Sequence, residues 1–246
     1  MSRTALVTGA SRGIGRAIAV ALGASGHRVV CGFANDAAAA AETAAAIAGA
    51  GCEASSIRVD VADTASVDAA FTEVEEAFGP VTVLVNNAGV TADGLVARMS
   101  DEQWEKVLTT NLTGAFHTIR RATPKMMRAR SGRIVNVSSV SGLMGAPGQA
   151  NYASAKAGLV GLTRALAREL APRNITCNIV APGPIVTAMT ETMPPEWRSA
   201  MEMTVPLGRL GTPEEVAAAV DFLCTEAAGY VTGAIIPVDG GLGMGH

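Results

Sequence analysis

The residue types best able to do chemistry gather between Arg133 and Lys156, where the chain reads RIVNVSSVSGLMGAPGQANYASAK. Tyr152 and Lys156 stand four residues apart, a spacing that stacks their side chains on one face if the segment is helical. An ammonium held that close to a phenol favours the phenolate and draws the phenol's pKa down from about 10 toward working pH. A phenol tuned in this way can give a proton to a carbonyl oxygen, which is what carbonyl reduction needs. Ser139 is the third side chain singled out, at the end of the apolar, β-branched run of Ile134, Val135 and Val137. The bare Tyr–Lys spacing also describes an ordinary exposed helical pair, so the weight falls on what surrounds it.

The surroundings begin with a buried strand through residues 134–137, a Ser/Gly/Pro loop, and a helix from near Asn151 to about Leu170 that ends at Pro172. The chain opens on TALVTGASRGIGRAIAVALGASG, a strand, a glycine loop and an amphipathic helix. Gly9, Gly13 and Gly15 give a GxxxGxG variant of the dinucleotide fingerprint. Glycines there let the backbone turn tightly against a pyrophosphate seated on the helix N-terminus. A second strand is expected at 27–33, ending in Phe33 and Ala34 where NAD-binding units carry an acid for the adenosine ribose. The missing acid, with Arg12 free to face a 2′-phosphate, favours NADPH over NADH.

The alanine-rich stretch 36–51 is read as a helix, since alanine has the best helix propensity. A third strand at 53–59 leads to Asp60-Val61, where the carboxylate either meets the adenine amino group or caps the helix at 64–78. The fourth strand, 81–85, runs into the polar turn Asn86-Asn87-Ala88-Gly89 at a carboxyl strand end, where open α/β sheets bind ligands. A helix over 101–127 starts at Ser100 with Gln103 at the capping-box position. Asn111 falls in its middle, a poor helix position, and marks either a kink or a side chain with a chemical task. The sixth strand, 175–181, enters Pro182-Gly183-Pro184-Ile185-Val186-Thr187, where Thr187 is placed to reach a phosphate or amide. The stretch 190–206 is read as containing a short helix with Trp197 and four methionines, Met189, Met193, Met201 and Met203. It is read as a lid or as an ordinary surface helix. Thr212 and Pro213 start a further helix, 233–238 is the seventh strand, and Asp239-Gly240-Gly241 begins the tail.

Alternating strands and helices without a linker predict one α/β domain over 1–246: a doubly wound, seven-stranded parallel sheet with helices on both faces. Residues 1–90 serve mainly the cofactor and 91–246 the catalysis and substrate. With 49% apolar and 17% charged residues the chain buries a large core, and a net charge of −3 points away from nucleic acid and anionic membranes. The start, MSRTALVTG, enters a strand directly, and no apolar run approaches a membrane span. Cys31, Cys52, Cys177 and Cys224 are far apart and read as reduced thiols, while His27, His117 and His246 make no metal-ligand spacing. A cytoplasmic protein without a metal is expected.

Taken in order, TGASRGIG, Asp60-Val61, NNAG, Asn111, Ser139, YASAK and Pro182-Gly183 through Thr187 resemble the short-chain dehydrogenase/reductases over essentially the whole length. Within that family GQANYASAKAG, APGPIVTAM, PLGRLGTPEEVA and the terminal YVTG and VDGG are most similar to 3-oxoacyl-[acyl-carrier-protein] reductases and polyketide ketoreductases. The resemblance implies a Rossmann fold and NADPH-dependent reduction of a 3-oxoacyl thioester in fatty-acid or polyketide synthesis. Alternatives are an acetoacetyl-CoA reductase, another short-chain ketone or alcohol oxidoreductase, or a non-catalytic dinucleotide-binding regulator. It assigns Tyr152 as general acid and Lys156 as the group that lowers the phenol's pKa and binds the nicotinamide ribose. Ser139 would hold the carbonyl oxygen, and Asn111 would anchor a water relaying protons to Lys156. The implied cofactor contacts are Gly9, Ser11, Arg12, Gly13, Ile14, Gly15, Asp60, Val61, Asn87, Ala88, Gly89, Tyr152, Lys156, Pro182, Gly183, Ile185 and Thr187. It also implies a homotetramer and an acidic acyl-carrier protein as partner. Arg130 and Arg173, flanking elements expected to border the cleft, are the candidate docking residues.

Overall fold

Hydrophobic runs that are buried on both sides build the centre of the molecule. The structure, a computed structural model, describes residues 3–187 and 195–244. Its strands are β1 (Thr4–Thr8), β2 (Arg28–Phe33), β3 (Ala54–Arg58), β4 (Val81–Asn86), β5 (Gly132–Val137), β6 (Ile175–Pro182) and β7 (Ile235–Val238). All pairings are parallel, in the order β3-β2-β1-β4-β5-β6-β7. The expected doubly wound, seven-stranded parallel sheet is therefore present. The chain reverses its direction of travel across the sheet between β1 and β4, and the carboxyl ends of those two strands open a crevice.

Strand alternation feeds two cores. Ala5, Val7, Val83 and Val85 point into the layer of α1 (Gly13–Ala24), α2 (Ala37–Gly49) and, close to the chain end, a helix over Pro213–Cys224. Leu6, Leu84 and Ile134 point the other way, onto α3 (Thr64–Phe78), α5 (Gly114–Ala129) and α7 (Ala150–Leu170). Each fully buried Leu, Ile or Val contributes about 1.5–3 kcal/mol, so the two layers fix the sheet that carries the site. Among the described residues the remaining α-helices are α4 (Asp101–Leu108), α6 (Ser141–Met144) and α8 (Pro195–Thr204), which makes the Pro213–Cys224 helix α9. The short α6 lies inside the Ser/Gly/Pro loop expected between β5 and α7.

Local chemistry explains most boundaries. Ser100 with Gln103, and Thr212 with Glu215 behind Pro213, form complete capping boxes at α4 and α9. The alanine-rich helix begins one residue later than expected because Asp36 is its cap, accepting from the Ala39 amide at 3.1 Å. At α3 the cap is Asp63, which accepts from Ala65 N at 2.9 Å. Asp60 does not cap that helix; its carboxylate closes the preceding turn on Ala62 N at 3.0 Å. The long helix expected over 101–127 is not continuous, because Thr109–Thr113 form a π turn that holds Asn111.

Beneath the crevice a polar chain crosses the sheet. Thr118 Oγ1 donates to Asn86 Oδ1 at 2.6 Å, Asn86 Nδ2 to Asn136 Oδ1 at 2.8 Å, and Asn136 Nδ2 to Thr163 Oγ1 at 2.8 Å. All four residues are buried, and each donor finds an acceptor, as a low-dielectric interior requires. Four cysteines are free; Cys31, Cys177 and Cys224 are buried, which pushes their thiols up to about 12. Among the described residues no His/Cys/Asp/Glu group could hold a metal, and no helix is long and apolar enough to cross a membrane. Of the residues named for the lid, Met189, Met193 and the Trp197 side chain lie outside the described residues, as does His246. Met201 is partly buried in α8 and Met203 is exposed.

Candidate active site

Ser139, Tyr152, Lys156 and Asn111 come from three different stretches and meet above the carboxyl ends of β4 and β5. Ser139 follows the end of β5, where Ser138 N and Val140 N still pair with Val180 O and Pro182 O of β6 at 2.8 and 3.0 Å. Its hydroxyl accepts from Ser141 N at 3.1 Å, at the start of α6. Tyr152 and Lys156 lie one turn apart on α7, with the ammonium 5.6 Å from the centre of the phenol ring. Two contacts place Lys156 on the strand. Its Nζ donates to Val137 O at 2.8 Å, and Ser138 Oγ donates to the Lys156 carbonyl at 2.8 Å. Gly142 of α6 presses on the same residue, since a Cβ there would stand 2.8 Å from Lys156 Cβ.

Asn111 is buried and turned by the π turn toward Val90. Its Oδ1 accepts from Val90 N at 2.8 Å, and its Nδ2 donates to Val90 O at 2.9 Å. A Cβ on Gly89 would lie 3.2 Å from Asn111 Oδ1 and 3.6 Å from Lys156 Nζ. Glycine at that position spares the Asn111 amide a tight contact and leaves the backbone between the amide and the ammonium. The amide keeps one N–H and one lone pair for another partner.

Burial dominates the electrostatics of the Tyr152–Lys156 pair. Burial pulls the Lys156 ammonium down to about 8, because a charged group there has lost its water. Burial also raises the Tyr152 phenol; a hydrogen bond with Ser139 works against this, and the Asp93 carboxylate adds to it. The Lys156 ammonium, 5.6 Å from the ring centre, donates one hydrogen bond to the Val137 carbonyl and keeps its charge beside the phenol. In this structure the neighbour that lowers Tyr152 is Ser139.

The glycine loop forms the other wall. Gly9 and Gly13 have φ of +65° and +54°, left-handed values that favour glycine. A Cβ on Gly15 would fall 2.1 Å from Gly9 O and 2.4 Å from Asn87 Nδ2, so α1 can dock only with glycine there. Asn87 locks this loop from β4: Nδ2 donates to Thr8 O and Gly9 O at 3.0 and 3.1 Å, while Asn87 N and Ala88 N donate to Thr8 Oγ1. The α1 N-terminus has no side-chain cap and no acid in its first turn, so its amides face outward as an anion seat. Thr187 Cγ2 lies 3.9 Å from where a Gly13 Cβ would be, which closes the cradle from β6. Backbone held this near, with uncapped amides and no Cβ in the way, fits the pyrophosphate of a dinucleotide.

The other expected contacts are dispersed around this cradle. Ser11 and Ile14 are partly buried in the loop and Arg12 is exposed at the helix cap. Val61 is buried against Gly114, and His117 Nδ1 is 3.0 Å from Val61 O. Ile185 is buried in the core and bridges to Gly211 through its backbone, while Gly183 packs against Asp239.

The expectation that Arg130 and Arg173 border the cleft is corrected. Both sit at the amino ends of β5 and β6, on the far side of the sheet from Ser139. They do come together: with Pro124, Met127 and Arg128 they line a surface groove of about 380 Å³, and Arg130 Nη2 donates to Pro172 O at 3.1 Å. Sequence reasoning missed Asn151, which is buried beside Tyr152. Its Nδ2 donates to Ala92 O and Gln103 O at 2.9 and 3.2 Å, and its Oδ1 accepts from Tyr152 N at 2.8 Å. Its position next to the tyrosine at a helix start was the available signal.

An open parallel sheet with a glycine cradle on one side of its switch point and a Ser–Tyr–Lys–Asn group on the other defines a class of dinucleotide-binding oxidoreductases. A sequence model of the family described as Enoyl-(Acyl carrier protein) reductase matches residues 9–243. A Staphylococcus aureus (strain Mu50) protein named 3-oxoacyl-[acyl-carrier-protein] reductase FabG is 47% identical over 244 residues, covering 99% of each chain. A Mycobacterium tuberculosis (strain H37Rv) protein named 3-oxoacyl-[acyl-carrier-protein] reductase MabA is 48% identical over 246 residues, covering 100% of this chain and 95% of the relative. A crystal structure from Agrobacterium tumefaciens, provisionally assigned as a gluconate dehydrogenase, superposes with a TM-score of 0.94 at 36% identity, over 98% of this chain and 96% of that one. The chain belongs to the short-chain dehydrogenase/reductase family, and the family's cofactor is a nicotinamide dinucleotide.

Proposed function

We propose that this protein reduces the 3-oxo group of a 3-oxoacyl-[acyl-carrier-protein] to the 3-hydroxyacyl thioester, with NADPH as reductant. The observation that carries the reading is the pairing of the Ser139 and Tyr152 hydroxyls beside the dinucleotide cradle. Two hydroxyls that can both donate to one oxygen suit a ketone rather than a carbon–carbon double bond. Full-length relatives bearing the 3-oxoacyl reductase name support the same substrate. The bound dinucleotide supplies the hydride that the carbonyl carbon receives.

The chain's own residues then have distinct tasks. Gly9, Ser11, Arg12, Gly13, Ile14 and Gly15 hold the pyrophosphate end, with Asp60 and Val61 at the adenine. Asn87, Ala88, Gly89, Pro182, Gly183, Ile185 and Thr187 line the crevice toward the nicotinamide. Ser139 fixes the carbonyl oxygen and Tyr152 gives it a proton. Lys156, already within 2.8 Å of Val137 O, binds the ribose and refills Tyr152, with Asn111 holding a water behind it. NADPH rather than NADH is favoured because β2 ends on Phe33 without an acid, Asp36 is spent on the α2 cap, and Arg12 is exposed beside the cradle.

The acidic carrier docks on the Arg128–Arg130–Arg173 groove. That groove is separated from Ser139 by the length of β5, roughly 20 Å at ~3.3 Å per residue. A carrier bound there therefore serves the cleft of another subunit, which agrees with a homotetramer. The protein acts in the cytoplasm, where carrier and NADPH are found.

The test follows NADPH and then NADH absorbance with an acetoacetyl thioester on carrier protein and on CoA, with Tyr152→Phe as control. Fast NADPH turnover that prefers the carrier and collapses in the variant is expected. CoA-only turnover moves the reading to acetoacetyl-CoA, and no turnover with either thioester overturns it in favour of a small ketone or alcohol. Charge reversal of Arg130 and Arg173 raises KM for the carrier-bound substrate alone; an equal effect on both thioesters refutes the docking site.

A further inference from the structure

The turn between β3 and α3 is held from two helices. Asp60 N donates to Ser66 Oγ of α3 at 2.9 Å, and the Asp60 carboxylate takes Ala62 N at 3.0 Å on Oδ1. Val61 is buried against α5, where a Cβ on Gly114 would stand 2.6 Å from Val61 Cγ2 and 3.2 Å from Val61 O. His117, one turn further along α5, sets its Nδ1 3.0 Å from the same carbonyl. A carbonyl oxygen can only accept, so Nδ1 carries the proton and donates the hydrogen bond. Gly114 and His117 are three residues apart and share one side of the helix. The glycine lets α5 come close to the turn, and the imidazole ties it there.

After these contacts the turn keeps two polar groups unspent. Val61 N has no acceptor and Asp60 Oδ2 no donor among the described residues. An acceptor oxygen beside an amide N–H complements an adenine edge, which sets an amino donor beside a ring-nitrogen acceptor. The turn follows the carboxyl end of β3, two strands from the glycine cradle at the end of β1, about 10 Å at 4.8 Å per strand. We propose that His117 is a positioning residue for the adenine end of the dinucleotide, holding the Val61 carbonyl so that the Asp60 carboxylate and the Val61 amide are set in advance for the base. This deepens the reading of the cradle as a dinucleotide site and rests on it. Groups fixed before binding spare the ligand the cost of ordering them. His117 is half-buried and belongs to neither core, so its replacement leaves the packing of the sheet in place.

Two fragments separate the ends of the cofactor. Adenosine 2′,5′-bisphosphate carries the adenine without the nicotinamide, and reduced nicotinamide mononucleotide carries the hydride without the adenine. In His117→Ala, calorimetric titration is expected to show adenosine 2′,5′-bisphosphate and NADPH weakened together by about three- to tenfold, the worth of one hydrogen bond. The rate of acetoacetyl-CoA reduction driven by reduced nicotinamide mononucleotide stays at the wild-type value, as does kcat at saturating NADPH. His117→Asn, whose Nδ2 can take the place of Nδ1, restores both affinities. Unchanged affinities in His117→Ala overturn the proposal, and so does an Asn variant that behaves like Ala. A mononucleotide-driven rate that falls by the same factor assigns His117 a general structural role and overturns it as well. Wild-type protein that binds neither the bisphosphate nor NADPH refutes the dinucleotide reading itself. The titrations contain no acyl substrate, so their outcome is independent of which thioester is reduced.

Discussion

Replacing Lys156 by Met separates what this side chain does for chemistry from what it does to stability. The ammonium is buried and held at a pKa of about 8 instead of 10.5. At ~1.4 kcal/mol per pH unit, that depression destabilises the dinucleotide-free fold by about 3 kcal/mol at pH 7. The 2.8 Å hydrogen bond to Val137 O returns about 1.5 kcal/mol. Met fills nearly the same volume without a charge, so Lys156→Met is expected to be about 1–2 kcal/mol more stable at pH 7, while reduction falls at least ~100-fold. The pH dependence carries the sign. Below pH 8 the native lysine is charged and the full penalty applies. Between about 8 and 10.5 the unfolded chain holds more protons than the folded one, so wild-type stability rises with pH and the gap to the variant closes. Urea unfolding followed by circular dichroism at pH 7 and pH 10 measures both points. A variant less stable than wild type at pH 7, or a gap that does not narrow at pH 10, refutes the reasoning.

Gly15→Ala places a Cβ 2.1 Å from Gly9 O, so the loop and α1 must part. Dinucleotide binding, read by NADPH fluorescence, is expected to weaken by more than ~10-fold, and stability to fall by about 1–3 kcal/mol. Asn136→Ala leaves Asn86 Nδ2 without its acceptor and Thr163 Oγ1 without its donor in a dry interior. A loss of about 2–4 kcal/mol in chemical denaturation is expected, and a loss below ~1 kcal/mol would mean the network is not closed. His27 is held below its ordinary 6.5, chiefly by burial and secondly by Arg3, against Asp221. Its contribution to stability is present above pH 6.5 and is lost as pH falls through and below that value, so His27→Gln should flatten the acid side of the stability profile measured by thermal unfolding.

Where one local rule decided the structure, the sequence was readable. Runs such as Val83–Val85 have no polar face, so they announced strands buried on both sides, and Ser100 with Gln103 announced a helix start. The glycine loop was legible because φ of +65° at Gly9 favours glycine and the 2.1 Å approach at Gly15 leaves no room for a Cβ. Features that needed two distant segments were not. The cap weighed for Asp60 belongs to Asp63, the residue directly before the helix, while Asp60 closes the turn ahead of it. Asn111 signalled a disturbance, but its form depended on Val90, which lies in another part of the chain. Lys156 was rightly stacked on Tyr152 by spacing, yet the acceptor that takes its ammonium is a β5 carbonyl, invisible to helical periodicity. Arg130 and Arg173 precede β5 and β6, so chain order already puts them at the amino ends of those strands, opposite the carboxyl ends that carry the site.

The π turn has a consequence for the phase of the two helices it joins. Along an unbroken α-helix Val107 and Thr118 are eleven residues apart, about three whole turns, and would share one azimuth. A π turn takes up one residue more than an α turn, which rotates everything beyond it by about 100° relative to that count. Here α4 lays its inner side on α7, while α5 lays its own on β4, β5 and α3. Thr109–Thr113 is thus a phase shifter between two incompatible packing directions, secured by Gly114 N donating to Thr109 O. Removing a single residue there would regularise the helix and turn Asn111 and Thr118 away from Val90 and Asn86 together, so the most ideal-looking repair of this segment is the one its function tolerates least.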